Sequence, residues 1–281
     1  MITKIDEVRA GRTVPAAGHI THFHEAGSGR PVVLLHGSAP GVSAWANWAG
    51  VLADLGADHH VLAPDLAGFG ASEFHQETTY GTKLWVRQLV EFLDALELSS
   101  AVLVGNSFGG AMALAAALRE PSRVDGLVLL GTPTGTFPMT EGLRAGWRYD
   151  PAGGPEAMAD LLRMFPHDPA CVTGEMVRER YAASARPGAQ DAYRQLIPEP
   201  AGVGTPVRGV PEERLRQIAV PALVVHGRED AVIPLEVGLR AARAIPDAEA
   251  HVFGGCGHWV QLERPAAFTA LVRDFLDRRL P

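Results

Sequence analysis

The chain has 281 residues, 47% hydrophobic and 20% charged, the balance of a globular protein with one sizeable core. Twenty-five Lys and Arg against 32 Asp and Glu leave a net charge of −7, which excludes the basic face of a nucleic-acid binder. Two cysteines make no disulfide framework, no apolar run nears the ~18 residues of a membrane span, and the charged opening "MITKIDEVRAGRT" carries no leader, so a reducing cytoplasm is expected.

In chain order, "HITHFHEA" alternates and is predicted as an early hairpin strand. "PVVLLHG" follows as a buried strand, then "SAWANWAGVLADL" as a helix and "HHVLAPD" as the next strand. "TKLWVRQLVEFLDAL" has helical spacing, with Trp85, Leu89, Phe92 and Leu96 along one face. "AVLVGN" and "DGLVLLGTP" are predicted buried strands on either side of the helix "SFGGAMALAAALRE". From about Thr132 to Ala219 no strand is predicted, only Pro- and Gly-punctuated helices such as "PEAMADLLRMF" and "TGEMVRERYAASA". The strands resume with "PALVVHGRED" and "AEAHVFGGCGH". Such alternation implies a mainly parallel sheet covered on both faces, with active residues at the carboxyl ends of strands. The division expected is a core of residues 1–131 and 220–281 with a helical cap, 132–219, inserted into it.

One polar residue interrupts this pattern. In "AVLVGNSFGGAM", Ser107 stands where a strand runs into a helix, among Gly105, Gly109 and Gly110. A G-x-S-x-G elbow of this kind marks the nucleophile of α/β-hydrolases. The flanking glycines let a strained turn pack closely, and the helix N-terminus faces developing negative charge. Serine is also a favoured helix N-cap, so the pentapeptide alone admits both readings. Its partners favour the nucleophile, because a serine needs a base oriented by a carboxylate. Asp230 follows one predicted strand and His258 the next, in the superfamily's order of serine, acid, histidine. The other acid position, after "GLVLLG", holds Thr132 and Pro133 and supplies no carboxylate. The oxyanion donors are then the backbone N–H of Phe108 and a group of Ser38 in the turn after "VVLLHG". His36 reads as a buried structural histidine, and "DLAGFGAS" as a turn in which Asp65 bonds locally. No cofactor or metal is expected, since no cluster has ligand spacing.

Beyond the elbow, "HGSAPGVSAWANW", "VGNSFGGAMALA", "HGREDAVIPLEVGL" and "HVFGGCGHWVQLERPAAF" resemble the meta-cleavage-product hydrolases of bacterial aromatic catabolism. The resemblance runs from about Ala17 to Leu276 and implies an eight-stranded α/β-hydrolase fold with an inserted helical cap. It also implies cleavage of the C5–C6 bond of 2-hydroxy-6-oxohexa-2,4-dienoates, giving 2-hydroxypenta-2,4-dienoate and a carboxylic acid. Ketonisation comes first, because the carbon leaving group then departs as a conjugated dienolate, with His258 carrying protons. An acyl-enzyme on Ser107 and a water activated by it both remain open. By motif register Arg180 binds the substrate carboxylate, Asn47 and Asn106 bind its oxygen-bearing end, and Phe165 and Trp259 form apolar walls. Asn106 and Ser38 resemble the branch with small C6 groups, and the family suggests a homodimer or larger assembly. Ala39 departs from the family's glycine and puts the second oxyanion donor's turn in question. The competing reading is a carboxylesterase or lactonase with the same triad, and a further one a non-catalytic receptor. Serine at position 107 excludes relatives with a nucleophilic aspartate.

Overall fold

The computed structural model describes residues 8–197, 199 and 205–280. The first seven residues of the charged opening, and positions 198 and 200–204 of the 132–219 segment, lie outside the described residues. A hairpin, β1 (Arg12–Ala16) and β2 (His19–Ala26), leads into β3 (Pro31–Leu35), α1 (Ala44–Leu55), β4 (His60–Pro64) and α2 (Thr82–Ala95). Then come β5 (Ala101–Asn106), α3 (Phe108–Arg119) and β6 (Val124–Leu130). The inserted segment holds β7 (Thr136–Phe137), α4 (Glu141–Arg148), α5 (Gly154–Leu162), α6 (Gly174–Ser184), α7 (Ala189–Leu196), β8 (Val207–Arg208) and α8 (Glu212–Leu215). The chain closes with β9 (Ala222–Gly227), α9 (Leu235–Ala244), β10 (Ala248–Phe253), α10 (Val260–Glu263) and α11 (Pro265–Arg279).

Eight strands form one sheet in the order β1-β2-β4-β3-β5-β6-β9-β10, antiparallel only where β2 meets β1 and β4. Strand side chains alternate between faces, so a continuous aliphatic run feeds two cores at once. Val33, Leu35, Leu103, Leu127 and Leu129 meet Trp85, Leu89 and Phe92 of α2 on one side. Val32, Leu34, Val102, Val104 and Val128 meet Trp48 of α1 and Phe268 of α11 on the other. Trp48 and Phe268 are fully buried with rings 6.3 Å apart, and truncating either to alanine should cost about 3–5 kcal/mol. Neighbouring β3 and β5 send their crossovers in opposite directions, which opens a crevice at their carboxyl ends.

Three sequence expectations are corrected. β10 is not buried: it is the sheet's edge, pairs only with β9, and leaves Val252 37% exposed. The inserted segment does contain strand, because β7 and β8 make a two-residue antiparallel ladder, too short to leave a periodic trace. Asp65 does more than bond within its own turn. It is 1% exposed and accepts from Ala44 N (2.6 Å) at the start of α1, Ala71 N (2.9 Å) and His22 Nδ1 (3.0 Å) on β2. Among the described residues no helix is long and apolar enough to cross a membrane.

His22 completes that anchor. Its other ring nitrogen faces the Ala10 carbonyl at 3.1 Å, so both nitrogens oppose acceptors and both must carry hydrogen. The Asp65 hydrogen bond is the main force holding its pKa above the usual histidine value. A group with a raised folded pKa stabilises fully below its unfolded value of about 6.5 and loses that contribution as pH rises through the folded one. Urea unfolding should therefore show His22→Gln least stable relative to the wild type near pH 6. The gap should narrow in alkaline buffer, and a pH-independent gap would contradict the imidazolium assignment.

Candidate active site

Ser107 joins β5 to α3 at φ 53° and ψ −114°, a region that L side chains rarely adopt. Such strain costs about 1–3 kcal/mol and persists only where the surroundings over-determine it. Here they do. Ser107 N donates to Leu130 O at 2.7 Å, and its carbonyl accepts from Ala111 N at 3.1 Å. A β-carbon on Gly109 would strike the Leu35 carbonyl of β3, and one on Gly105 the backbone of Gly109 and Gly110. The serine side chain makes no capping hydrogen bond. It lies instead on the wall of two cavities, which removes the N-cap reading.

Asp230 lies three residues past β9, with no exposed side-chain surface. Its Oδ1 accepts from Val232 N (2.8 Å) and Ile233 N (2.9 Å), and its Oδ2 faces His258 Nδ1 at 2.7 Å. That leaves His258 Nε2 for another proton transfer. The pair sits on Gly131, whose φ is +49°, and a β-carbon there would lie 2.8 Å from His258 Nδ1 and 3.1 Å from Asp230 Oδ2. The end of β6, the alternative acid position, is thus occupied by Asp230 and His258 themselves. His226, which no sequence signal singled out, donates from Nε2 to Ile233 O at 2.9 Å and lies 3.4 Å from Asp230 Oδ2. Burial lowers its pKa, so it stands neutral beside the carboxylate. His36 is also neutral: its Nε2 accepts from Leu66 N at 3.0 Å and its Nδ1 donates to Gly37 O at 2.7 Å.

Ser107, His258, Ser38 and Ala39 border both cavities. One, about 280 Å³, is walled by Leu143, Trp147, Val207, Val232, Ile233 and Phe108. The other, about 20 Å³, is framed by Asn47, Asn106, Arg180, Phe165 and Trp259. Phe165 and Trp259 stack at 4.7 Å with rings 2° apart, and the Phe165 ring lies 6.1 Å from that of His258. Ala39 is not among the positive-φ residues, so its β-carbon is accommodated without backbone strain.

Arg180 is 4% exposed although its neighbour Arg178 lies in solvent. Its Nε donates to Pro40 O at 3.2 Å, its Nη2 has no partner, and no carboxylate pairs with it among the described residues. Burial pushes its pKa down to about 10, which still leaves it charged at neutral pH. Asn47 accepts from Gly37 N through Oδ1 at 3.2 Å, while its Nδ2 is likewise buried without a partner. Asn106 Nδ2 reaches only the His258 carbonyl, at 3.5 Å. A larger groove of about 670 Å³ on the far side of Arg180 shares Ala39, Val42 and Tyr193 with these cavities but touches neither Ser107 nor His258.

A model of the alpha/beta hydrolase family matches residues 32–271. The chain is 45% identical to a 2-hydroxy-6-oxo-2,4-heptadienoate hydrolase of Pseudomonas putida, covering 95% of this chain and 96% of that one. It is 46% identical to a 2-hydroxymuconate semialdehyde hydrolase of Pseudomonas sp. strain CF600, covering 95% and 93%. A crystal structure of a meta-cleavage product hydrolase from Pseudomonas fluorescens IP01, complexed with acetates, superposes with a TM-score of 0.88 at 41% identity, over 95% of this chain and 98% of that one. The chain belongs to the α/β-hydrolase family and, within it, to the meta-cleavage-product hydrolases.

Ser107→Ala, Asp230→Asn and His258→Ala should each lower kcat by roughly 10³-fold or more while the protein stays folded. A folded Asp230→Asn enzyme with most of its activity would move the acid elsewhere. Ser107→Gly should abolish turnover yet raise unfolding free energy by about 1 kcal/mol, because glycine relieves the turn. A less stable glycine variant would count against stored strain.

Proposed function

We propose that the protein hydrolyses the C5–C6 bond of 2-hydroxy-6-oxohexa-2,4-dienoates, with Ser107, His258 and Asp230 as its triad. The observation that carries this is the buried Arg180, with no counter-ion among the described residues, beside the unpartnered Asn47 amide and across Ser107 from an apolar cavity. A buried cation without an anion is costly, so the site calls for a carboxylate from outside the chain. A guanidinium takes one bidentately. The substrate then lies with its carboxylate end at Arg180, Asn47 and Asn106, its C6 carbonyl at Ser107, and its C6 substituent in the 280 Å³ cavity.

The chemistry follows from that placement. His258 takes the 2-hydroxyl proton and delivers it to C5, turning the dienol into the 2-oxo-3-ene and leaving the imidazole neutral again. Ser107 Oγ, or a water it activates, gives a proton to His258 and adds to C6. The resulting oxyanion sits at the Phe108 N–H and Ser38. When C5–C6 breaks, the C6 oxyanion re-forms its carbonyl, the bond's electron pair passes through C3=C4 onto the 2-oxo oxygen, and a proton from His258 completes 2-hydroxypenta-2,4-dienoate. The C6 fragment leaves as the carboxylic acid directly on the water route, or after a second water, deprotonated by His258, hydrolyses the acyl-Ser107. Asp230 holds the imidazole through Nδ1 in both stages. In this reading residues 132–219 are the cap over a core of 1–131 and 220–281. The enzyme works in the cytoplasm as a homodimer or larger assembly and needs neither cofactor nor metal.

Arg180→Gln should cost about 2–4 kcal/mol in kcat/KM on the dienoate, the range for a lost buried charge partner. It should also slow ketonisation, because the carboxylate end is no longer anchored while the proton moves. Hydrolysis of p-nitrophenyl acetate should change little, and Arg180→Lys should recover only part of the loss, since an ammonium lacks the fork. Equal losses on ester and dienoate in stopped-flow traces would leave Arg180 a structural residue and favour the esterase reading.

Two relatives at 45% and 46% identity are named for substrates whose C6 bears methyl or hydrogen. Ring-fission products of catechol and 3-methylcatechol should accordingly give a higher kcat/KM than that of 2,3-dihydroxybiphenyl. The loss of the yellow dienolate absorbance measures it, and the reverse order would overturn the small-substituent assignment.

A further inference from the structure

The loop that presents His258 exposes three consecutive backbone N–H groups beyond the β10 ladder, and each is held by a different anchor. Cys256 N donates to Glu229 Oε2 at 3.0 Å, in the loop that carries Asp230. Gly257 N donates to Glu263 Oε1 at 2.8 Å. His258 N donates to the Phe165 carbonyl at 2.8 Å, in the inserted segment. Glu263 is the branch point. Its other oxygen, Oε2, accepts from His167 N (2.9 Å) and Asp168 N (3.1 Å), which follow Phe165 in the inserted segment. The Cys256 thiol also approaches Oε1, at 3.7 Å. Gly257 is glycine for the same reason: a β-carbon there would lie 2.6 Å from Phe165 O and 2.5 Å from His167 N. One carboxylate therefore binds the histidine loop with one oxygen and the 165–168 turn with the other. Charge-assisted bonds of this kind are the stronger class, and only a carboxylate offers two acceptor atoms at this reach.

We infer that Glu263 is a positioning residue, holding His258 in register with Asp230 only while the inserted segment, with its Phe165 wall, is seated. The inference rests on the triad reading above. Two of the three anchors on the histidine loop run to the inserted segment, directly through Phe165 O or through Glu263, and only Glu229 belongs wholly to the core. Loss of that connection displaces the imidazole and the apolar wall together. Glutamine keeps the shape of glutamate but has a single acceptor oxygen, so its amide must face donors on one side.

The test compares wild type, Glu263→Gln and Glu263→Ala by two assays and by thermal unfolding. The first follows phosphonylation of Ser107 by a small neutral p-nitrophenyl phosphonate, which needs the serine and its base but no dienoate carboxylate. The second measures kcat and KM on the catechol-derived dienoate. Glu263→Gln should slow both phosphonylation and kcat by ~10–10²-fold, the scale of an ångström-sized misplacement of a catalytic group. The loss on the dienoate should fall mainly on kcat, because its carboxylate end stays held at Arg180, Asn47 and Asn106. Glu263→Ala should lose more. A wild type that is phosphonylated but leaves the dienoate untouched would sink the substrate assignment while still reading the Glu263 effect. Folded variants within twofold of wild type in both assays would overturn the inference. So would failure of both variants to fold, which would make Glu263 a folding residue.

Discussion

The site depends on one backbone constraint, the turn that holds Ser107 at positive φ between a buried strand and a helix. Strain of ~1–3 kcal/mol cannot survive in a loose loop, so the turn needs rigid elements on both sides. β5 supplies six buried residues bonded to β3 and β6, and α3 begins at the very next residue. Because the sheet reverses its winding between β3 and β5, that turn meets the Gly37–Ala39 loop in the crevice. The position of Ser107 and that of the loop beside it thus share one topological origin.

Three buried charges around this crevice are treated differently, and the contrast is informative. Asp65 is saturated by two backbone donors and an imidazole, so it serves architecture. Asp230 is held by two backbone donors on one oxygen and offers the other to His258, so its charge is directed. Arg180 receives no anion among the described residues, and leaving a buried cation so is costly. Stability alone would not retain such a group.

The inserted segment does more than line one cavity of the crevice. It contributes Arg180 on α6, the Phe165 wall stacked on Trp259, and the carbonyl that fixes His258 N. Its own small core of Met158, Leu161 and Leu162 packs with Val232, Ile233 and Trp259 from the loops that carry Asp230 and His258. The packing of this segment and the placement of Asp230 and His258 are therefore mechanically joined.

Much of this was legible in the chain because it is written at short range. Aliphatic runs of five to seven residues, such as β3 and β6, mark strands covered on both faces, and Ser43 and Thr173 announce helix starts that their side chains cap. The order Ser107, Asp230, His258 was readable since each residue follows a strand, and topology alone gathers strand ends. What the sequence could not supply were distances between segments far apart in the chain. The edge position of β10 depends on which strand lies beside it, and the two-residue ladder of β7 and β8 has no periodicity to detect. Gly131 looked like a strand terminus until His258 and Asp230 were seen to rest on it. Arg180 sits between Glu179 and Tyr181 in what reads locally as a solvated helix face, and only the packing of α6 against the Pro40 loop buries it. Local pattern determined the elements and their order, whereas burial and charge compensation, sums over neighbours distant in sequence, were decided by the tertiary structure alone.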